Sequence, residues 1–327
     1  MIPMRTWPSR LEAFFFPAVS DNWLSILRVG LGVQVVLYCL SLAGDWHALF
    51  AFETAGWINR DLAEAIMIAN TPFIPRIGWL TILGDRFGVN EATVLTITLW
   101  CLVGAGCFLI GGLFCRTSAF IAWLLYLCAA KSGNLFAYGV DNFTIAGLFY
   151  LVIAPHPDRY TLDRKIFKSS VKDSHLHGFF RRILQLHLSV IYVSGGISKC
   201  LGSGWWNGNS IWRALTRPPF NVLPNHMVVA ASAILPALGI AILILETLYP
   251  IFIWPARTRL IWLSGIMCMH IGIGITMGLY LFSLIMIVLN LAAFGPELIF
   301  RERNFAGLRS ARKPENFAAP ATVPARR

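Results

Sequence analysis

Long apolar runs constrain this chain more than any other feature of its sequence. A helix needs about 20 mostly apolar residues to cross the hydrocarbon core of a bilayer. A shorter run covers 139–155, and a break near Met277-Gly278-Leu279 divides residues 260–297 into two short spans. The clearest full-length runs are 23–44, 92–114, 117–137, 183–202 and 227–254. The sequence therefore predicts an all-α polytopic integral membrane bundle of about eight transmembrane helices.

Composition agrees with a surface that faces lipid. Charged residues make up only 13% of the chain and hydrophobic residues 57%, whereas a soluble domain carries about 25% charged residues. So few polar residues could not cover a soluble core of this size. The net charge of +11 raises the alternative of nucleic-acid binding. The basic residues cluster in short loops and in the C-terminal tail, which is typical of membrane orientation and contact with anionic lipid headgroups, and not of nucleic-acid binding.

The distribution of basic residues predicts the orientation of the bundle. With the N-terminus in the cytoplasm, 19 of the 27 basic residues fall in cytoplasmic segments and 5 in outer loops, as the positive-inside rule requires. Both termini are therefore predicted to be cytoplasmic. We divide the chain into an interfacial segment at 1–20, a transmembrane domain at 21–300 and a basic tail at 301–327, which we expect to be disordered.

Common catalytic and metal-binding motifs do not occur in the sequence. Its seven cysteines form no CxxC pair and lie mostly inside apolar runs, so neither a disulfide framework nor a metal site is predicted. We find no GxSxG, HExxH or phosphate-binding glycine loop, and hydrolase and nucleotide-binding functions therefore lack support.

The fifth span, QLHLSVIYVSGGISK, carries polar residues on one face. At 100° per residue, one stripe contains Gln185, Tyr192, Gly195, Gly196 and Lys199. Small residues beside a Tyr and a Lys predict close packing against a neighbouring helix, with a polar cavity adjacent. Lys199 is predicted near the outer face. Either its ammonium reaches outward to headgroups, or burial favours the neutral amine, which can act as a base near pH 7.

Glu246 and His270 lie at one predicted depth on the two helices of a hairpin. Glu246 is 11 residues before Arg257, and His270 is 11 residues after Arg259, which places both roughly 16 Å from the inner turn. Asn290 reaches a similar depth on the last span. We expect Glu246 and His270 to pair in the bundle interior, either as a structural hydrogen bond of the hairpin or as a polar site or proton relay. Ionisable residues inside a membrane favour the functional alternative.

Two outer segments are rich in tryptophan. In 203–226, Trp205, Trp206 and Trp212 are expected to anchor the loop in the headgroup zone; the alternative is that they line the entrance for a lipid-soluble substrate. Residues 45–91 include Trp57 and are expected to form short helices on the outer interface.

Several polar residues outside these groups receive structural predictions. Arg28 is expected to lie near the inner interface and to reach headgroups. Asp141 and Asn142 are expected to form an exposed cap of the fourth span. His177 lies in the basic inner loop and is expected to be solvated.

Three segments carry a family resemblance: IYVSGGISKCLGSGWWNGNSI, ETLYP and CMHIGIGITMGLYLFSLIMIVLNLAAF. They resemble the HTTM (horizontally transferred transmembrane) domain family, which contains the vitamin K-dependent gamma-carboxylases and many shorter bacterial proteins. The resemblance covers most of residues 20–300. It implies that Lys199 matches the base that deprotonates vitamin K hydroquinone, a reduced quinone, and that His270 matches the family histidine. It also implies chemistry on the non-cytoplasmic side and a bacterial inner (cell) membrane.

Two departures limit what the resemblance implies. The carboxylases continue into a large non-cytoplasmic domain that helps recognise protein substrates, whereas this chain ends in a short tail. Asn142 stands where carboxylases carry a histidine. We therefore do not expect carboxylation of protein glutamates. Short bacterial relatives include membrane proteins implicated in the maturation of secreted peptide toxins, which gives an alternative class of function.

The leading hypothesis is a membrane enzyme acting on a lipid-soluble molecule such as a quinol, or on an outer-face substrate, with carboxylase- or epoxidase-like chemistry by resemblance. Lys199 is the predicted base, supported by His270 and Glu246. The predicted substrate-binding residues are Tyr192, Trp205, Trp206 and Asn290. The alternative is a non-catalytic membrane factor that assists maturation or export of a secreted peptide, with or without a partner membrane protein. A small-solute transporter is disfavoured because no inverted repeat is visible.

Overall fold

The computed structural model describes residues 7–51, 65, 68–69, 73–133, 138–168 and 174–300, and its regular elements in these ranges are all helices. The predicted all-α class is therefore confirmed. The tail 301–327 and Trp57 lie outside the described residues.

Within these ranges, most of the long helices overlap the predicted apolar spans, but the span predicted at 227–254 is divided into four shorter elements, of which Leu235–Thr247 is the longest. We label them α1 (Asn22–Leu42), α2 (Glu91–Gly111), α3 (Cys115–Ser132), α4 (Gly139–Ile153), α5 (Ser174–Cys200), α6 (Leu235–Thr247), α7 (Ala256–Met277) and α8 (Tyr280–Phe294). Gly278, with φ of +72°, adopts the left-handed conformation that ends α7, so the predicted break is confirmed.

Shorter helices occupy the connections between the long ones. Two of them, Trp46–Phe50 and Ile77–Arg86, match short helices predicted between 45 and 91. Tyr249–Phe252 follows α6 after one residue. The others are Trp7–Phe15, Leu162–Phe167, Ser203–Trp206, Asn209–Thr216, Asn225–Ala230, Pro296–Ile299 and the 3-10 turn Ser232–Ile234.

Among the described residues, three helices, α1, α2 and α7, are long and apolar enough to cross a membrane. The apolar helices α4 and α8 and the stretch Ser232–Thr247 are shorter. Large apolar side chains are exposed along the outside of the bundle, among them Leu40, Trp100, Val190, Ile261 and Ile275. Water-facing surfaces rarely carry so much contiguous apolar area. The structure is therefore compatible with an integral membrane protein.

Helix α1 is the central element, since it packs against α2, α4 and α8. Glycines allow its close approach to α2: a Cβ added to Gly32 would lie 2.8 Å from the carbonyl oxygen of Gly106. Helix α5 packs against α6 and α8, and α7 packs against α8. This second group of four helices carries the polar residues of the predicted spans that are singled out above.

Arg28 is fully buried, so the prediction that it reaches headgroups is wrong. Its Nε donates to Asp158 Oδ2 over 2.7 Å, and its Nη1 donates to the carbonyl oxygens of Leu109 and Ile110 at the end of α2. Ser25 donates a further hydrogen bond to Asp158. A guanidinium held by a carboxylate and by the free carbonyls of a helix end does not need lipid phosphates. These five residues join α1, α2 and the connection after α4.

Two other polar predictions need correction. His177 is buried, not solvated. Asp141 does cap α4, because its carboxylate accepts the N–H of Tyr138 over 3.1 Å, but it is buried and also accepts the hydroxyl of Tyr126. Asn142 is exposed, as predicted. Burial of Asp141 was missed because its neutral partner Tyr126 lies on another helix.

Candidate functional site

The polar residues of the predicted spans converge between α5, α6, α7 and α8. They form two adjacent groups: an ion pair between α5 and α6, and a buried hydrogen-bond network that joins α5, α7, α8 and the start of Tyr249–Phe252. All of Lys199, Glu246, Tyr192, His270 and Asn290 belong to one of these two groups.

Lys199 forms an ion pair with Glu246. Its Nζ donates to Oε2 over 2.5 Å, and the side chains are 27% and 9% exposed. The Lys199 ammonium therefore points to a carboxylate of the bundle and not only outward to headgroups. Glu246 was expected to pair with His270, and this expectation is wrong, because the carboxylate pairs with Lys199 and the imidazole with Tyr192.

Two consecutive glycines let α5 and α6 approach closely enough for this pair. A Cβ added to Gly196 would lie 2.6 Å from the backbone nitrogen of Thr247. A Cβ added to Gly195 would lie 3.5 Å from both Glu246 Oε2 and Lys199 Nζ. The close packing predicted from the small residues of α5 is therefore confirmed.

Tyr192 is the centre of the hydrogen-bond network. Its hydroxyl oxygen accepts a hydrogen bond of 2.8 Å from Asn290 Nδ2 and lies 2.9 Å from His270 Nε2. Tyr249 donates its hydroxyl to Asn290 Oδ1 over 2.8 Å. Tyr192 accepts a hydrogen bond from Asn290 and can donate its own hydroxyl proton to His270 Nε2. In the tautomer that accepts this bond, the imidazole proton of His270 is on Nδ1.

The other side of His270 is open to a further partner. His270 Nδ1 and Ser283 Oγ are buried polar atoms with no hydrogen-bond partner in the described part of the chain. Both lie between α7 and α8: a Cβ added to Gly274, one turn after His270, would be 3.0 Å from Ser283 Oγ. A buried unpaired polar group costs about 1–3 kcal/mol, so each of these atoms retains the capacity for one further hydrogen bond.

Tyr249 was not assigned a role from the sequence, although it lies within the ETLYP segment. It is fully buried, and its ring centroid lies 4.3 Å from that of Tyr192. The available signal was its position three residues after Glu246, which places both residues on one side of the helix. From that side of the helix, the Tyr249 hydroxyl reaches Asn290.

The two tryptophans after α5 differ in their surroundings. The Trp205 ring centroid lies 5.4 Å from Lys199 Nζ, within cation–π distance. Trp206 is exposed, and its indole N–H donates to the carbonyl of Cys200 over 2.9 Å. Contact with Lys199 favours the entrance alternative for Trp205, whereas exposure of Trp206 fits an interfacial anchor.

A cavity of about 340 Å³ lies elsewhere in the bundle. Its lining includes Tyr38, Asp45, Tyr138, Asp141 and Leu281, and none of the candidate residues named above contributes to it. The polar cavity predicted beside α5 is therefore not this one.

The connection after α4 contains two buried titratable groups outside the predicted spans. Burial by itself raises the pKa of Asp158, but the hydrogen bonds and charge of Arg28 outweigh it and hold that pKa below its ordinary value. Burial lowers the pKa of His156 to about 4. His156 Nε2 lies 2.8 Å from the carbonyl oxygen of Leu151, so a neutral imidazole with its proton on Nε2 closes the end of α4.

No protein-family model, curated protein or solved structure matches this chain. Among the described residues there is also no group of three or more His, Cys, Asp and Glu side chains that could hold a metal ion. The arrangement of Lys199, Glu246, His270 and their neighbours is therefore the basis for a functional proposal.

Proposed function

We propose that this protein is a membrane enzyme of the HTTM type that removes a proton from a lipid-soluble quinol or from a substrate at the outer face, with Lys199 as the base. Helices α1–α8 would all cross a bacterial inner membrane, with both termini in the cytoplasm. The apolar exterior, the excess of basic residues on one side and the length of α1, α2 and α7 support this arrangement. The 15-residue helices α4 and α8 and the 13-residue helix α6 would span with local thinning of the bilayer.

The ion pair is the observation that carries the proposal. A lysine acts as a base only as a neutral amine. In an apolar site, the charged Lys199–Glu246 pair is less well solvated than in water, which narrows the free-energy gap to the neutral amine and carboxylic acid. The ammonium proton can therefore pass along the existing hydrogen bond to Glu246. This transfer leaves an amine on Lys199 and a carboxylic acid on Glu246. The amine then takes the hydroxyl proton of the substrate, and the new ammonium neutralises the oxyanion.

His270 and Trp205 supply the remaining functions of the proposed site. The unpartnered Nδ1–H of His270 is a donor that can stabilise an oxyanion. Tyr192 and Asn290 fix the orientation of that imidazole through their hydrogen bonds. Trp205 would offer an aromatic face to a planar quinol ring next to Lys199.

A non-catalytic role in maturation or export of a secreted peptide is the second candidate. It is favoured by apolar side chains exposed on the segment after α5, namely Trp206, Val222, Met227 and Val229. These would contact a peptide or a partner membrane protein. In that case the Lys199–Glu246 pair holds α5 against α6 and has no chemical task.

Oxidation of a quinol in nanodiscs separates the two candidates. A quinolate reacts with oxygen faster than the neutral quinol, so the protein should accelerate oxygen consumption by vitamin K hydroquinone by about 100-fold over empty nanodiscs. Lys199→Ala should abolish the acceleration, and Lys131→Ala, a lysine in the last turn of α3, should retain it. Equal rates for wild type and Lys199→Ala would refute the enzymatic proposal. If replacing Val222 and Met227 abolished peptide maturation while Lys199→Ala left it intact, the second candidate would be supported.

A further inference from the structure

A short helix after α4 leaves its apolar side chains uncovered. Leu162–Phe167 contains no buried residue, and both Ile166 and Phe167 are 57% exposed. The Phe167 ring contacts that of Phe114, also exposed, from the turn between α2 and α3. We call the exposed apolar residues Phe114, Tyr160, Leu162, Ile166 and Phe167 the inner patch.

Polar contacts hold this helix in a fixed orientation. The Asp163 carboxylate accepts the N–H groups of Phe114 and Cys115 over 2.7 and 2.8 Å. The N–H of Asp163 donates to the carbonyl of Gly112 over 3.0 Å, and Thr161 Oγ1 accepts the N–H of Arg164 over 3.2 Å. These contacts use backbone groups and the side chains of Asp163 and Thr161. The apolar side chains of the inner patch therefore stay exposed when the helix is held in place.

The inner patch is bordered by basic residues that form no ion pair within the described part of the chain. Lys165 and Lys168 are exposed, and Arg159 and Arg164 lie in the same ten residues. Residues 158–168 contain two carboxylates, and both are already bound. Asp158 binds Arg28, and Asp163 accepts the N–H groups of Phe114 and Cys115. The segment therefore presents cations beside an apolar surface.

We propose that the inner patch docks on anionic phospholipid in the cytoplasmic leaflet of the surrounding bilayer. Its apolar side chains would enter the acyl-chain boundary, and Lys165 and Lys168 would bind headgroup phosphates. Apolar residues interleaved with lysines are typical of helices lying in a membrane interface. The site adjoins the ends of α2 and α3, and α2 is itself long and apolar enough to cross a membrane. The proposal rests on the membrane embedding proposed above.

Photo-crosslinking of the full chain in nanodiscs tests this proposal. A p-benzoylphenylalanine is introduced at position 167, in nanodiscs holding equal phosphatidylglycerol and phosphatidylcholine, and the adducts are identified by mass spectrometry. The same label at position 100 is the control, because Trp100 lies mid-way along α2 and is 63% exposed. We expect lipid adducts at both positions. At position 167 the anionic-to-zwitterionic ratio should be at least about threefold above that at position 100.

A matched double variant tests the role of the lysines. Lys165→Gln with Lys168→Gln should return the ratio at position 167 to the value at position 100. Lipid adducts at position 100 but none at position 167 would overturn the docking surface and leave the membrane bundle standing. No lipid adduct at either position would contradict the embedding itself. Adducts at position 167 with another protein, or lipid adducts in the bulk ratio, would also overturn the proposal of an anionic lipid surface.

Discussion

Lys199 and Glu246 lie 47 residues apart in the chain and form an ion pair of 2.5 Å between α5 and α6. Helix α5 carries both Lys199 and Tyr192, and Tyr192 is hydrogen-bonded to His270, so polar groups of α5, α6 and α7 meet along one helix. This concentration in an otherwise apolar bundle is costly. It is the reason for proposing a chemical site here.

The close crossing of α5 and α6 should be sensitive to a single methyl group. Gly196→Ala should lower the free energy of unfolding by about 1–3 kcal/mol, because the Cβ would collide with the Thr247 backbone. Gly272→Ala is the matched control: nothing lies within 4 Å of its added Cβ, so it should stabilise α7 by about 0.5–1 kcal/mol. Thermal unfolding in detergent measures both. Equal shifts for the two variants would contradict the described crossing.

The Arg28–Asp158 pair should be the most sensitive polar contact outside the candidate site. Arg28→Met or Asp158→Asn should each cost about 3–5 kcal/mol, because each leaves a buried group without its partner. The double variant should cost clearly less than the sum of the two. A double-mutant cycle on unfolding free energies measures the coupling, and strict additivity would show that the two groups do not interact.

His156 should make the protein less stable in mild acid. The folded protein keeps His156 neutral, since burial lowers its pKa to about 4, whereas the unfolded chain takes up a proton near pH 6.5. Between these values the unfolded state binds more protons, so stability falls as the pH falls, by up to about 3 kcal/mol. Asp158, with its lowered pKa, stays ionised over this range.

The comparison of His156→Gln with His226→Gln isolates that effect. His226 is exposed, so its replacement should leave the slope of melting temperature against pH between 6.5 and 4 unchanged. His156→Gln should flatten the slope. Parallel curves for the wild type and the His156 variant would show that this imidazole does not titrate as described.

Tyr249 should matter to the hydrogen-bond network, although no role was predicted for it from the sequence. Tyr249→Phe removes the donor to Asn290 Oδ1 and leaves a buried acceptor unpaired, at a cost of about 1–3 kcal/mol. Tyr280→Phe, at an exposed position, should change stability by less than about 0.5 kcal/mol. Chemical unfolding of both variants is the measurement, and equal stabilities would rule out the Tyr249–Asn290 bond.

The sequence predicts the positions of most long helices, because a long apolar run is a direct signal of such a helix. The run 227–254 is the exception, since the structure divides it into four shorter elements. The partners were harder to predict. The neighbour that a side chain contacts depends on the rotation of each helix about its axis. The length of an apolar run does not determine that rotation. Glu246 therefore pairs with Lys199 and not with His270.

Contacts across long stretches of chain were missed for the same reason. Arg28 and Asp158 are 130 residues apart, and single-residue reasoning sends an arginine near a helix end to the headgroups. The small residues of α5 were more informative, because a glycine pair on a helix predicts close approach whichever helix is the neighbour. In the structure, this close approach is the one between Gly196 of α5 and the backbone of Thr247 in α6.

The most direct test of the proposed site is a cryo-electron microscopy map of the protein in nanodiscs with a reduced naphthoquinone. The proposal predicts ligand density within hydrogen-bonding distance of Lys199 Nζ and His270 Nδ1, and its loss in Lys199→Ala. Density in the cavity lined by Tyr38 and Asp141, with none beside Lys199, would contradict it.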